Sequence, residues 1–166
     1  NVRNAALFTR EDGWVVDVFL VDNPANGRPL TGNEAEALKR VLLHVVLENG
    51  NIQEYVDKSR KRLFTLSRPA PNVKSSISFD NAASPEDTVI DIVAGDRTGL
   101  LYDIAHTLSE MGIDFRAAHI VTDVGRARDA FYVRMNGRKL EEEKLKDWIS
   151  RRLSEAIATP AMPEKH

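Results

Sequence analysis

Thr88-Val89-Ile90-Asp91-Ile92-Val93-Ala94-Gly95-Asp96-Arg97-Thr98-Gly99-Leu100-Leu101-Tyr102-Asp103-Ile104-Ala105-His106-Thr107-Leu108 changes its hydrophobic period at a glycine. Val89 to Ala94 is almost continuously apolar, which suits a buried strand. Beyond Gly99, Leu100, Ile104 and Leu108 recur every fourth residue with Leu101 and Ala105 beside them, one face of an amphipathic helix. A strand that enters a helix through such a turn leaves backbone N–H groups unpaired at the helix start, where a small carboxylate can dock. Asp96–Leu101 therefore suits a loop that senses a metabolite without performing chemistry on it.

Outward from this stretch the chain repeats itself. Asp17-Val18-Phe19-Leu20-Val21 resembles Asp129-Ala130-Phe131-Tyr132-Val133, and Ala5-Ala6-Leu7-Phe8-Thr9 resembles Ala118-His119-Ile120-Val121-Thr122. Gly27-Arg28-Pro29-Leu30 similarly resembles Gly137-Arg138-Lys139-Leu140. The second copy reads strand (88–94), helix (99–111), strand (114–123), strand (126–136) and helix (140–157). In its third strand Phe131, Val133 and Met135 alternate with Tyr132 and Arg134. Its closing helix carries Leu145, Trp148, Ile149, Leu153 and Ile157 at helical spacing.

The first copy starts at its second strand, and Leu38, Val41, Leu42 and Val45 mark its remaining helix, ended near Gly50. Its opening strand and helix are expected upstream of residue 1, so the chain reads as a piece of something longer. A half-module of this kind should expose a sheet edge and an apolar face, and should self-associate. Residues 51–72 read as a linker: a short helix over 52–63 with the basic run Lys58-Ser59-Arg60-Lys61-Arg62, then an extended stretch with Pro69 and Pro71. The basic run reads as solvated, since no aromatic platform accompanies it. Residues 73–80 alternate like a strand, which either takes the vacant edge of the second copy or closes the first. The end, 158–166, reads as a flexible tail.

Composition narrows the function classes. Lys and Arg number 23 against 25 Asp and Glu, for a net charge of −2, which offers no bulk reason to expect nucleic acid or an anionic membrane. The absence of cysteine removes disulfides, thiol nucleophiles and zinc-thiolate sites, and fits a reducing cytoplasm. His44, His106, His119 and His166 show no metal-ligand spacing. No serine or threonine sits in a nucleophile elbow, so catalysis by this chain is not expected and no catalytic or metal-ligating residue is named.

The run from Thr88 to Leu153 resembles an ACT domain, with Asp96-Arg97-Thr98-Gly99-Leu100-Leu101 similar to that family's strand-to-helix signature; Thr98 stands where proline is frequent. More narrowly, the Ala-Leu-Phe-Thr segment and Asp17-Val18-Phe19, the basic linker, Ser78-Phe79-Asp80-Asn81 with Ala83-Ser84, and Asp129-Ala130-Phe131-Tyr132-Val133 resemble the C-terminal tandem ACT regions of bacterial PII uridylyltransferase/uridylyl-removing enzymes. The resemblance implies an α+β fold. Its form is two ferredoxin-like ACT modules, each an antiparallel sheet with two helices on one face, the first truncated at its N-terminus (1–50) and the second spanning 73–157.

It also implies an amino-acid ligand, glutamine, and a parent with nucleotidyltransferase and HD phosphohydrolase domains that use a divalent metal and act on the PII signal protein. No cofactor is expected in this chain, which has no His-Asp dipeptide. A structural or oligomerising ACT tandem, and an ACT-only regulator of another protein, remain open. The ligand-binding candidates are Asp96, Thr98, Gly99, Leu100 and Leu101. The Leu100 and Leu101 amides are expected to face the ligand, with Thr98 as helix N-cap and Arg97 facing solvent. Asp96 either receives an ammonium group or ties its own turn. Arg116 and His119 are candidate interface positions on the second strand, and Trp14 and Trp148 are expected to pack.

Overall fold

A computed structural model describes residues 1–10, 12–48, 50–64, 73–123 and 125–158. Within them run β1 (Val2–Thr9), β2 (Val15–Val21), α1 (Gly32–Leu47), α2 (Ile52–Phe64), β3 (Ser76–Asp80), β4 (Thr88–Gly95), α3 (Leu100–Glu110), β5 (Ile113–Asp123), β6 (Arg126–Met135) and α4 (Glu143–Ala158). The strands form one antiparallel sheet in the order β2-β1-β5-β6-β4-β3. The side chains of Arg60–Arg62, the extended stretch 65–72 and the tail 159–166 lie outside the described residues.

The two hydrophobic periods meet on one face of this sheet. Ile90, Ile92, Phe131, Val133 and Ile120 from the strands pack with Leu100, Ile104 and Leu108 of α3 and Ile149, Leu153 and Ile157 of α4. Burial of each such side chain stabilises the fold by about 1.5–3 kcal/mol. Of the alternatives for the strand near residue 76, the structure takes the edge of the second module. β3 pairs antiparallel with β4, from Ser76↔Val93 to Asp80↔Val89. That strand starts at Ser76, and α4 starts at Glu143, both three residues later than the pattern suggests.

The late start of α4 has a visible cause. Leu140 plugs the sheet end at 1% exposure, and its N–H donates to the Thr88 hydroxyl at 2.8 Å instead of opening a helix. Thr88 in turn donates to Asn81 Oδ1 at 2.6 Å, while Asn81 Nδ2 returns to the Leu140 carbonyl at 3.0 Å. The Ser78–Ser84 motif is thus a brace for the β3–β4 hairpin. Thr88→Val is expected to destabilise the protein by about 1–3 kcal/mol, since it orphans a buried donor and a buried acceptor. Urea unfolding checks this, and an unchanged midpoint would remove the brace from the account.

β1 and β2 repeat β5 and β6 down to their irregularities. The β1–β2 ladder shifts register between Val2 and Asn4, and the β5–β6 ladder shifts between Phe115 and Ala117. The extra residues are Arg3 and Arg116, which are equivalent in the repeat. β1 then pairs antiparallel with β5 through Ala5↔Ile120, Ala6↔His119 and Leu7↔Ala118. Because Ala5, Ala6 and Leu7 are the repeat equivalents of Ala118, His119 and Ile120, the modules are related by a local twofold axis at the Ala6–His119 pair.

The first module is less covered than the second. α1 has a complete capping box, with Thr31 and Glu34 bonded reciprocally, yet none of its residues is buried. β2 forms the outer edge of the sheet, with Val16, Val18 and Leu20 more than half exposed. Trp14 and Trp148 are 70% and 43% exposed, so neither is the packing residue its aromatic character suggests. Trp14 precedes this uncovered edge strand, and Trp148 sits beside Ile149 on a helix whose buried stripe is Ile149, Leu153 and Ile157. Among the described residues no helix is long and apolar enough to cross a membrane.

Candidate functional site

β4 delivers the chain into the loop Asp96–Leu101, and three contacts hold that loop. The Asp96 N–H donates to the Gly125 carbonyl at 2.8 Å, tying the loop to the β5–β6 turn. Gly99 adopts φ +80°, ψ 5°, a left-handed conformation that a side chain disfavours. The Arg97 guanidinium donates to Asp103 Oδ2 at 2.7 Å and to the Ala156 carbonyl at 2.6 Å, reaching the last turn of α4.

Three expectations about this loop are corrected. Gly99, not Thr98, is the N-cap of α3, and no side chain caps it, because the left-handed turn places glycine at the junction. Arg97 does not face solvent: its side chain is 14% exposed, held by Asp103 and the carbonyls at the C-terminus of α4. Of the two amides expected to face a ligand, that of Leu100 donates to the Arg97 carbonyl at 3.1 Å. The Leu101 N–H has no acceptor among the described residues.

Asp96, Thr98, Gly99, Leu100 and Leu101 all line one cavity of about 600 Å³. Its floor is the sheet: Ala118 and Ile120 of β5, Leu7 and Thr9 of β1, and Asp17 and Phe19 of β2. The cavity therefore spans the seam between the modules. Asp96 accepts the Arg97 backbone N–H, which lowers its pKa, but burial is the larger effect and pushes its carboxyl above the ordinary range. Asp96 thus ties its own turn and also lines the cavity.

Arg116 lines the cavity too, from the bulge in β5; bulges commonly re-aim a side chain. His119 lies elsewhere. It packs edge-on between Phe8 of β1 and Tyr132 of β6, with ring centroids 6.3 and 6.0 Å away. It marks the seam and not the cavity.

Sequence reasoning missed Asp17, Thr9 and Phe19. Their alternation along β1 and β2 placed them on one face, but only the β1–β5 pairing sets that face beside the loop. It also missed Asp129, the repeat equivalent of Asp17, which is 4% exposed and whose Oδ1 has no hydrogen-bond partner among the described residues. Burial, and then the nearby Asp96 charge, push the Asp129 carboxyl up to about 7. Among the described residues no group of three or more His, Cys, Asp or Glu side chains is placed to hold a metal ion.

The strand–loop–helix, the two helices on one face and the paired sheets define a ferredoxin-like module, and comparison supplies its family. A family model described as an ACR9-like, ACT-like domain matches residues 76–162. The chain belongs to this ACT-like family. It is 33% identical over 166 residues to a bifunctional uridylyltransferase/uridylyl-removing enzyme of Erythrobacter litoralis, covering 99% of this chain and 18% of that protein. The Novosphingobium aromaticivorans protein of the same name is 37% identical over 160 residues, covering 94% of this chain and 17% of its own. That of Azospirillum brasilense is 31% identical over 163 residues, with 97% and 17% covered. The chain thus spans less than a fifth of the length of these relatives. No solved structure gives a significant match.

Proposed function

We propose that this region senses an amino acid, glutamine, and regulates a bifunctional PII uridylyltransferase/uridylyl-removing enzyme of which it is part. The observation that carries the reading is the cavity shared by the Asp96–Leu101 loop of one module and the β1–β2 face of the other. A ligand held there touches both modules, so it favours one arrangement of them over another. Catalytic domains elsewhere in the longer protein, with their divalent metal, read that arrangement. Glutamine then moves the enzyme from uridylylating the PII protein towards removing the uridylyl group, in the cytoplasm.

The free Leu101 N–H at the start of α3 suits a carboxylate, and the apolar floor suits the ligand's methylenes. The terms available suit a metabolite sensor: each charge-assisted hydrogen bond contributes roughly 1.5–3 kcal/mol before the cost of ordering the ligand. A structural tandem is the second reading. The continuous β1–β5 ladder favours it, because backbone pairing by itself joins the modules.

Thermal unfolding with glutamine, glutamate and asparagine separates the two. At a hundredfold excess over Kd a ligand stabilises by about 2.7 kcal/mol, which raises Tm by roughly 5–10 °C for a chain of this length. The sensor reading expects that rise with glutamine and not with its close analogues. A melting curve indifferent to all three, and to the remaining amino acids at millimolar concentration, leaves a scaffold.

A further inference from the structure

Helices α3 and α4 cover one face of the sheet, the one that carries Ile90, Ile92, Ile120 and Phe131. α1 lies on that side too: its Leu38 and Leu42 share a shallow groove with Val21, two residues beyond Phe19, which pairs with buried Ala5. The opposite face is bare. A sheet face left to water normally carries polar residues in alternation with the buried ones. β3 and β4 follow that rule, with Ser76, Ser78, Asp80 and Asp91 exposed. β1 and β2 break it. On this face Phe8, Val16, Val18 and Leu20 are 48%, 52%, 62% and 61% exposed, and Val121 of β5 is 43% exposed. Strands that are apolar on both faces belong between two layers.

The repeat shows that this face is separate from the side where the first module lacks cover. An upstream strand of the first copy would extend the sheet beside β2, as β4 lies beside β6, and its helix would lie on the side of α3. Neither reaches the bare face. Phe8 and Val121 also sit on interior strands, paired on both sides. They are repeat equivalents, placed on either side of the Ala6–His119 pair that marks the local twofold axis. The rings of Phe8, His119 and Tyr132 run edge-on across β1, β5 and β6, so the apolar field continues over the seam.

Size and charge select the occupant. The five exposed apolar side chains leave roughly 450 Å² uncovered, at the scale where a patch is commonly an interaction site. With the half-buried neighbours between them the face reaches roughly 600 Å², so a symmetric pair buries roughly 1,200 Å², the lower bound of stable interfaces. At its margin lie exposed Arg128 of β6 and exposed Asp91 of β4, which have no ion pair among the described residues. Arg128 pairs with Val93, two residues from Asp91. One positive and one negative group beside a single apolar field complement their own copies across a twofold axis, whereas a wholly acidic or basic partner gains from only one of them.

We infer that the bare face, centred on Ala6 and His119, is a self-association surface on which a second copy of this chain packs sheet to sheet, about 10 Å away. This does not rest on ligand binding, and it uses neither the outer edge of β2 nor the apolar face of α1.

Sedimentation equilibrium of the full chain from low to high micromolar concentration tests it. A reversible dimer is expected. Val121→Lys should weaken it roughly a hundredfold or more, because each pair would bury two unpaired charges. Leu42→Lys, on the exposed face of α1, should leave it nearly unchanged. Val121 and Leu42 are both accessible in one copy, so both variants should melt near the wild-type temperature. A second readout does not depend on tolerance of lysine. The chain has no cysteine, so Val18→Cys and Leu42→Cys each report one face. The Val18 thiol should be shielded from a thiol reagent where the dimer is populated and react on dilution, while the Leu42 thiol reacts throughout. A chain that stays monomeric at every concentration, or a dimer that shields Leu42 and leaves Val18 reactive, overturns the inference.

Discussion

Asp129→Asn is expected to stabilise the protein at about pH 8 and to make little difference at about pH 4. Asp129 sits on β6 between Ile92 of β4 and Ile120 of β5, almost fully buried, with no partner for Oδ1 among the described residues. Burial raises its carboxyl to about 7, the Asp96 charge adds to that, and a hydrogen bond from the Val121 backbone only partly offsets both. The folded state thus keeps a proton that the unfolded chain gives up near pH 4. Stability is fully present below the unfolded pKa and is lost as the pH rises through the window up to about 7. Above it the charged form costs on the order of 4 kcal/mol.

Asparagine has a similar shape and no charge to bury. Urea unfolding of both proteins across this range should show the variant pulling ahead between about pH 4 and 7. A difference that does not change with pH, or a wild type that gains on the variant as the pH rises, would show that Asp129 is not buried as a carboxylic acid.

Arg97→Ala should be nearly as large in the opposite direction. The Arg97 guanidinium binds Asp103 on α3 and the Ala156 carbonyl at the C-terminus of α4, with both charged side chains largely out of solvent. It joins the Asp96–Leu101 loop to both helices at once. Its loss should cost about 2–4 kcal/mol and lower Tm by roughly 5–15 °C. Arg97→Lys should recover only part of this, because a point charge cannot reach both partners as a planar fork does. If alanine melts like the wild type, the loop is held by the Gly125 and Gly99 contacts alone. If lysine restores full stability, charge alone carries the interaction.

Much of this protein is legible from residue order alone, because the determining physics is local. The apolar run of β4, the fourfold spacing of α3, the alternation in β6 and the glycine between strand and helix each depend on neighbours a few residues away. The repeat added the equivalence of β1–β2 with β5–β6 before any pairing was visible. Where local preference misled, a distant partner was responsible. Leu140 is drawn off the helix by Thr88, fifty-two residues earlier in the chain, and Arg97 is drawn out of solvent by the end of α4.

The cavity belongs to the second category. Its loop was readable in the sequence, since strand, turn and helix are contiguous. Its other wall was not, because Asp17 reaches the site only after β1 pairs with β5, a contact between segments more than a hundred residues apart. Sequence by itself therefore determined the modules and the loop that each strand–helix junction forms. Only the tertiary structure decided which edges meet, because edge pairing depends on backbone hydrogen bonds available to any strand and leaves no periodic signature in the side chains.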